Sequence, residues 1–412
     1  MINNPFTSKI YELTWLKHFS RHKEGVAFNY VDGLKFYKHS FLPYFINVGR
    51  NSTNGITYAL DHDARDFKNK TLLIYDVPSY FKIEPPIEGS PIELYEIQQY
   101  KGYLADFEGV ENLESYLLKE LNTKSRNKFR SALRKFEACF DVEYNIYKDF
   151  ISKEDYSNVM KDFKDIITRR FETLKLDTNL ITEWPFYTEL IYNMILDEKA
   201  ILVSIKANGK PVSMSLAFLG SVSLVGAIKA FDSDFYKFNV GHIEISKLIE
   251  FCLQNNLRYF DFSKGTYKYK DRWTNSEYNY NCHILYDSSS FTSRMTAKLL
   301  ACFFNFKQYL RDKNFNLFLV KLKFKLKHLI VCPSNKRQFE LKSINNLDGI
   351  DNLLQVNIEE ECIKYPFLNR IIYDGLFKKP EPFKNLKVYK LGDSEPTYYV
   401  VGKASSYAIE II

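Results

Sequence analysis

The order of the strand and helix patterns in residues 200–262 constrains the fold more than any other feature of the sequence. The pair Asn208-Gly209 favours a two-residue type I′ turn, so the strands on either side of it form an antiparallel hairpin. Apolar residues at helical spacing follow a third strand, and a short aromatic strand follows the helix. The predicted strands are 200–205, 212–218, 224–230 and 257–262, and the predicted helix is 242–254.

The chain of 412 residues is too long for one hydrophobic core and long enough for two or three domains. Its positive charge is local, because residues 291–340 hold eleven lysine and arginine residues and two acidic ones, a net +9 in a chain of total +7. The predicted division is an N-terminal α+β unit at 1–100, a second unit at 101–290, a basic connector at 291–340 and a small C-terminal unit at 341–412.

Several classes of protein are not supported by the sequence. The six cysteines lie far apart and form no CxxC pair, so neither a zinc site nor a disulfide framework is indicated. The sequence also contains no GxGxxG and no GxxxxGK[ST] motif. The N-terminus lacks the regions of a signal peptide, and no apolar run is long enough to span a membrane. We therefore expect a cytoplasmic protein, or at most one that attaches to a membrane surface.

The start of the predicted helix 242–254 is a candidate phosphate site. The backbone N–H groups of Asn239, Val240, Gly241 and His242 precede or open that helix, where unpaired donors and the helix dipole favour an anion. Glycine at 241 permits a close approach by the ligand. The alternative is an ordinary helix start.

A second candidate group follows the last strand of the segment. Asp261 ends that strand, where it could accept a proton or cap the next loop, and Tyr269 and Lys270 follow a Gly-containing break. The alternating cations and aromatics of 264–270 are also compatible with an ordinary edge strand. Arg169 and Arg170 lie near the end of a predicted helix at 153–170, where they suit the helix dipole or contact a substrate carboxylate.

These residues resemble the acyltransferase domain of the GNAT superfamily, in the CelD/BcsL-like branch related to the peptidoglycan aminoacyl transferases. In that branch the helix start reads Ser-Pro-Gly and the next strand reads Asp-Phe-Gly-x-Gly-x-x-x-Tyr-Lys. Asn239-Val240-Gly241 corresponds to the first motif, with Asn and Val in place of Ser and Pro. Residues 261–270 correspond to the second, with Ser263 in place of Gly. The basic helix 126–136 resembles the helix that opens such domains, and the resemblance covers about residues 100–290.

The resemblance implies an α+β fold with a mixed, mostly antiparallel sheet flanked by helices, in two GNAT-like units plus a C-terminal extension. It also implies N-acyl transfer from acyl-CoA to an amine, without a metal, at a place where the sheet is splayed open. The acceptor would be an amino sugar, an amino acid or a similar small or lipid-linked amine used in envelope biosynthesis. Asp261, Tyr269 and Lys270 would form the catalytic group, residues 239–242 would bind the cofactor, and Arg169 and Arg170 would bind the substrate.

Two further hypotheses stay open. Aminoacyl-tRNA is an alternative donor, although the sequence shows no long helical hairpin of the kind that the peptidoglycan aminoacyl transferases insert. The chain could instead be a non-catalytic GNAT-like module that binds an anionic membrane surface or nucleic acid through residues 291–340. We favour the enzyme, with peripheral membrane contact through the basic segment, and do not expect nucleic acid to be its partner.

Overall fold

The computed structural model of this chain describes residues 4–21, 24–174, 178–313, 315, 339–343, 353–391, 397–403 and 406–411. Its helices are α1 (Lys9–Phe19), α2 (Leu113–Glu120), α3 (Thr123–Cys139), α4 (Lys153–Leu174), α5 (Trp184–Leu196), α6 (Val240–Gln254), α7 (Phe291–Asp312), α8 (Ile358–Lys364) and α9 (Phe367–Lys378). Its strands are β1 (Val26–Phe28), β2 (Val31–Lys38), β3 (Phe45–Asn47), β4 (Ala59–Leu60), β5 (Thr71–Pro78), β6 (Ile92–Asp106), β7 (Val142–Tyr147), β8 (Ala200–Ala207), β9 (Lys210–Leu219), β10 (Ser223–Phe231), β11 (Tyr259–Lys264), β12 (Ser276–Asp287), β13 (Phe339–Ser343), β14 (Leu353–Val356), β15 (Lys387–Leu391), β16 (Tyr398–Val401) and β17 (Ser406–Ile411).

Within the described residues, twelve strands form one large sheet in the order β1-β2-β3-β5-β12-β6-β11-β10-β9-β8-β7, with β4 paired to β2. Neighbouring strands run antiparallel except β3 with β5 and β10 with β11, which run parallel. The predicted fold class is confirmed, because the sheet is mixed, mostly antiparallel and flanked by helices.

The segment 200–262 contains the predicted strands and helix in the predicted order. β8, β9 and β10 form the antiparallel meander, α6 follows, and β11 closes the segment. Asn208 and Gly209 have φ values of 50° and 76°, which are the left-handed values that a type I′ turn requires at both central positions. The helical pattern before β7 divides into α2 and α3, because the Asn122 side chain accepts from the N–H of Ser125 and begins a second helix.

Helices cover both faces of the meander. Met214 and Leu216 of β9 point into the core shared with α4 and α5, whereas Ala217 points into the core shared with α3 and α6. This division follows from the two-residue period of a strand. α7 packs on the other half of the sheet, where Ala297, Leu300 and Phe304 contact β5, β6 and β12.

The C-terminal residues form a second sheet with the order β13-β17-β16-β15-β14. β15 and β16 confirm the two strands that the sequence indicates around 386–391 and 397–401. α9 contacts α3 and the 3-10 turn Ser233–Phe238, so this part lies against the meander half of the large sheet. The alternating lysine pattern at 321–327 lies outside the described residues.

The domain division stays a prediction. Residue 100 lies inside β6, and residue 290 directly precedes α7. No helix among the described residues is long and apolar enough to cross a membrane.

Gly102 of β6 gives the first testable prediction. A Cβ atom at this position would lie 2.2 Å from Cζ of Tyr278, whose buried hydroxyl bonds to Asp261. We expect Gly102→Ala to lower the free energy of unfolding by about 1–3 kcal/mol, because the ring must move out of a packed position. Gly226→Ala is the matched control, since its Cβ would meet nothing closer than 3.5 Å. Urea unfolding curves of the two variants measure the difference, and equal stabilities would contradict the prediction.

Candidate functional site

The site begins where two parallel strands separate. β10 and β11 pair over only three residue pairs, from Ser223 with Tyr259 to Val225 with Asp261. β10 then continues to Phe231 along β9, and β11 continues to Lys264 along β6. Beyond Val225, the edge of β10 that faces β11 has no strand partner in the described part of the chain. Backbone N–H and C=O groups along this gap are therefore available to an extended ligand.

Backbone irregularities accompany this separation on both strands. β10 shifts its register against β9 between Gly226 and Ile228, and β11 shifts its register against β6 between Asp261 and Lys264. Ser263, inside the second shift, has a φ of 61°. This left-handed conformation is one that glycine adopts more readily than serine.

The N-terminus of α6 lies beside the gap. Asn239 adopts the left-handed conformation and provides no side-chain cap, while its carbonyl accepts from the N–H groups of His242 (2.8 Å) and Ile243 (3.1 Å). A Cβ at Gly241 would lie 3.0 Å from the ring of Phe231 at the end of β10. The glycine thus lets the helix start approach the strand.

An ion pair between a half-buried lysine and a buried glutamate fixes that helix start. The ammonium of Lys229 in β10 donates to the carbonyl of Gly241 and lies 3.4 Å from Glu244, which also accepts from Ser213 at 2.8 Å. Glu244 is fully buried. Burial lowers the pKa of Lys229 and raises the pKa of Glu244, and each charge partly offsets the shift of the other. Loss of Lys229 would leave the buried Glu244 carboxylate without its counter-charge.

His242 is held as a neutral imidazole. Its ring stacks on Trp273, and the indole N–H donates to its Nδ1 at 2.7 Å, which leaves the proton on Nε2. Burial lowers its pKa to about 4, and the positive charge of Lys229 contributes. At neutral pH the residue is therefore a hydrogen-bond donor without charge.

Arg170 and Tyr269 complete the surroundings of this helix start. The Arg170 guanidinium lies 4.1 Å from the centre of the Phe231 ring. Burial and the neighbouring Tyr267 raise the pKa of Tyr269 to about 12, although the Arg170 charge opposes the rise. The Tyr269 hydroxyl consequently keeps its proton at neutral pH and can donate it. Of the residues predicted from sequence, the structure brings together Arg170, Gly241, His242 and Tyr269.

Asp261 lies at the base of the gap but on the other face of the sheet. Phe260 and Phe262 point into the α6 core, so the side chain between them points away from α6. Its carboxylate is fully buried and accepts from the hydroxyls of Tyr278 (2.6 Å) and Tyr80 (3.1 Å) and from the N–H of Ser263 (2.7 Å). Burial raises its pKa to about 6, although these hydrogen bonds oppose the rise.

Lys270 faces inward, and its neighbours are backbone carbonyls. Its ammonium donates to the carbonyls of Ser263 and Lys264, both at 2.9 Å, and only 1% of the residue is exposed. Burial lowers its pKa to about 8, and Asp261 opposes the decrease. The loop after β11 is therefore a closed turn held by Lys270. The edge-strand alternative for 264–270 is wrong, because β11 ends at Lys264.

Arg169 and Arg170 line a cavity of about 930 Å³ between α4, the end of β10 and the C-terminal helices. Arg169 is exposed and pairs with Asp232 at 3.4 Å. Asp234, in the same wall, has a pKa raised to about 6 by burial and by Asp232. Through Arg170 and Phe231 the cavity adjoins the gap between β10 and β11.

Sequence reasoning missed the polar residues that connect these elements. Lys229 is a lone cation in the apolar strand pattern 224–231, and Glu244 is a lone acid on the apolar face of α6. Each is an anomaly that signals a buried partner. Tyr80 and Tyr278 gave no comparable signal, since the chain contains 30 tyrosines. In the described part of the chain, no group of three or more metal-ligating side chains is arranged to hold a metal ion.

Residues 123–271 match the family described as "Acetyltransferase (GNAT) domain". The matched stretch runs from α3 to the turn after β11 and contains all nine of the site residues predicted from sequence. The GNAT resemblance is thus supported over this segment, while the CelD/BcsL-like branch stays a prediction. No curated protein matches the chain.

Several solved structures are similar to the chain at low sequence identity. FemX has 13% identity and a TM-score of 0.42, over 66% of this chain and 91% of that one. A conserved protein of unknown function from Bacteroides thetaiotaomicron VPI-5482 has 12% identity and a TM-score of 0.40, over 69% and 91%. The C-terminal domain of a putative lysylphosphatidylglycerol synthetase from Agrobacterium fabrum has 8% identity and a TM-score of 0.39, over 68% and 87%. These similarities specify no substrate.

The raised pKa of Asp261 predicts a pH dependence of stability. Between about pH 4 and pH 6 the folded chain keeps a proton on this carboxyl that the unfolded chain has lost, so stability falls as the pH rises. The difference in unfolding free energy between the wild type and Asp261→Asn should decrease by about 2–3 kcal/mol across this window and then stay constant. Urea unfolding of both proteins from pH 4 to pH 7.5 measures it. A difference that does not change with pH would show that Asp261 titrates normally.

Proposed function

We propose that the chain is an N-acyltransferase that moves an acyl group from acyl-CoA to an amine by direct attack on the thioester. The single observation that carries this proposal is the separation of β10 and β11 after Val225 and Asp261, with the N-terminus of α6 beside it. An extended thioester needs backbone partners along its arm and an anion site for its phosphates, and this arrangement offers both. The GNAT match of residues 123–271 supports the same reaction class.

In this proposal the donor lies along the open edge of β10. The pyrophosphate meets the start of α6 at residues 239–242, mainly through the N–H groups of Val240 and Gly241, because those of Asn239 and His242 donate to the carbonyls of Tyr236 and Asn239. The Lys229–Glu244 pair holds this helix start in position. His242 contributes an uncharged N–H donor. The thioester then lies in the gap between the strands.

The reaction requires one proton acceptor and one proton donor. The amine nitrogen attacks the thioester carbonyl carbon, the C–S bond breaks as the C–N bond forms, and the amine proton leaves. We assign the accepting role to Asp261, reached through the Tyr80 hydroxyl that donates to it, because the carboxylate itself is fully buried. We assign protonation of the departing thiolate to Tyr269. Lys270 positions the loop between them through two carbonyls.

The acceptor is proposed to enter from the cavity that adjoins the gap. Arg169, Arg170 and Asp234 line it together with apolar residues of the C-terminal helices, so it suits a small amine that also carries charge. An amino sugar, an amino acid or an envelope precursor fits this description. An aminoacyl-tRNA donor has less support, because no long helical hairpin projects from the described part of the chain.

Binding of the donor gives a direct test. We expect acetyl-CoA or a longer acyl-CoA to bind with micromolar affinity in isothermal titration calorimetry, and Gly241→Asp to abolish the binding. The substitution places a carboxylate where the phosphates would lie and presses against Phe231. The matched control is Gln254→Glu, which adds the same charge at the exposed C-terminal end of α6 and should bind normally. If the wild type binds no thioester, the proposed function is wrong.

The proposed base predicts a pH profile. With Asp261 as the acceptor, kcat/KM should rise with pH around an apparent pKa of about 6. Asp261→Asn should lower kcat about 10²-fold or more, remove that rise and leave acyl-CoA affinity unchanged. Asp271→Asn, an identical substitution in the exposed part of the same loop, is the control. If Asp261→Asn keeps the wild-type profile, Asp261 is not the base.

A second candidate function is binding of an anionic partner through residues 291–340, either alone or together with catalysis. α7 favours it, because the exposed side of this helix is both basic and apolar. Attachment to the cytoplasmic side of a membrane would agree with an acceptor that is linked to a lipid. Nucleic acid is the other anionic polymer, and salt-sensitive binding is the expected sign of either.

A further inference from the structure

α7 has two apolar faces, and the large sheet covers only one. Ala297, Leu300 and Phe304 pack on the sheet, and Arg311 on the same side lies 3.9 Å from the ring of Tyr100. The opposite side carries a second row of large apolar residues spaced three or four positions apart. This exposed stripe consists of Phe291 (68% exposed), Met295 (41%), Leu299 (67%), Phe303 (58%), Phe306 (61%) and Tyr309 (57%).

From Phe291 to Arg311, every charged residue of α7 is positive. Arg294 and Lys298 flank it and are exposed, and Lys313 follows at the end of the helix. The first acidic residue after Phe291 is Asp312, and the sequence from Lys313 to Phe339 contains none. A surface that binds this helix must therefore accept bulky apolar side chains and supply negative charge beside them.

Among anionic partners, a lipid surface fits both properties. Nucleic acid is bound through cations and needs no row of six exposed apolar side chains along one helix. A second copy of the chain would bring an identical basic flank against the first, which disfavours a symmetric contact between two α7 helices. An amphipathic helix lying in the plane of a bilayer places its apolar row among the acyl chains and its cations at the phosphates.

We propose that the exposed stripe of α7 binds the surface of an anionic phospholipid bilayer, with the helix axis parallel to the membrane plane. This inference rests on the proposal that residues 291–340 contact an anionic surface, and it names the partner and the residues. It does not depend on acyl transfer, because α7 packs on β5, β6 and β12 and none of the stripe residues belongs to the proposed donor or acceptor site. Membrane binding would hold the enzyme close to a lipid-linked acceptor.

Cys302 provides a reporter within the stripe. It is exposed on the same side of α7, whereas Cys139, Cys252, Cys282 and Cys362 are buried. In a Cys332→Ser background, an environment-sensitive fluorophore attached to Cys302 reports whether this face enters lipid. The labelled protein is titrated with vesicles of phosphatidylglycerol and phosphatidylcholine, and with vesicles of phosphatidylcholine alone. Co-sedimentation of unlabelled protein measures the affinity.

We expect the fluorescence to shift to the blue when the anionic vesicles are added. The affinity for vesicles of phosphatidylcholine alone should be at least tenfold lower than the affinity for the anionic vesicles. The double variant Leu299→Ser/Phe303→Ser should lose at least tenfold in affinity for anionic vesicles. Phe41→Ser is the matched control, because Phe41 is 92% exposed outside α7. Acetyl-CoA titration of the same variants should be unchanged, so a failure of membrane binding is separable from a failure of the donor site.

Three results would overturn the inference. The first is the absence of binding to anionic vesicles. The second is binding to anionic vesicles that the double variant retains in full. The same conclusion follows if the charge variant Arg294→Gln/Lys298→Gln loses binding to a duplex DNA oligonucleotide and to vesicles equally, while the apolar substitutions have no effect on either. The third is a concentration-dependent dimer in light scattering that the double variant abolishes, without any vesicle binding.

Discussion

The pairing of β6 with two strands at once is the constraint on which the rest of the molecule depends. This strand of 15 residues pairs with β12 along its length and with β11 near its C-terminal end, and so joins the two halves of the sheet. Gly102 lies where both partners meet, and the ring of Tyr278 crosses it because no side chain is present. The Tyr278 hydroxyl then reaches Asp261. One missing side chain in a central strand thus determines where a buried carboxylate is held.

The candidate site combines two buried polar groups on opposite faces of the sheet. On one face, Lys229 and Glu244 fix the helix start that would meet the phosphates of a donor. On the other, Asp261 is surrounded by hydroxyl and amide donors that lower its pKa less than burial raises it. A donor bound at the helix start and a proton acceptor at Asp261 would lie on opposite faces of the sheet. They could act on the same substrate only where β10 and β11 separate. In the proposed reaction, the distance between donor and base would therefore be set by strands and a helix, which hold a site more precisely than loops do.

The elements that depend only on neighbouring residues were predicted correctly from short stretches of sequence. The Asn208-Gly209 turn, the meander and α6 follow from backbone preference and apolar spacing within short windows, and all are present. The inward direction of Lys270 was not predictable, because it depends on the carbonyls exposed by the left-handed turn at Ser263. The strand order of the large sheet was also not predictable from sequence. β12 pairs with β5 and β6, which lie far earlier in the chain, and no local pattern indicates such a pairing. The site roles assigned from the motif remain predictions.

The insertion of β12 between β5 and β6 has a consequence for the nascent chain. β5 and β6 leave the ribosome well before the strand that separates them, and at 5–20 residues per second the interval is about 10–40 s. During that time each strand has an unsatisfied edge, and the two would meet each other or another chain. Productive folding therefore has to wait for late synthesis. The unpaired edges of β5 and β6 are therefore the part of the chain most open to wrong pairing before β12 is made.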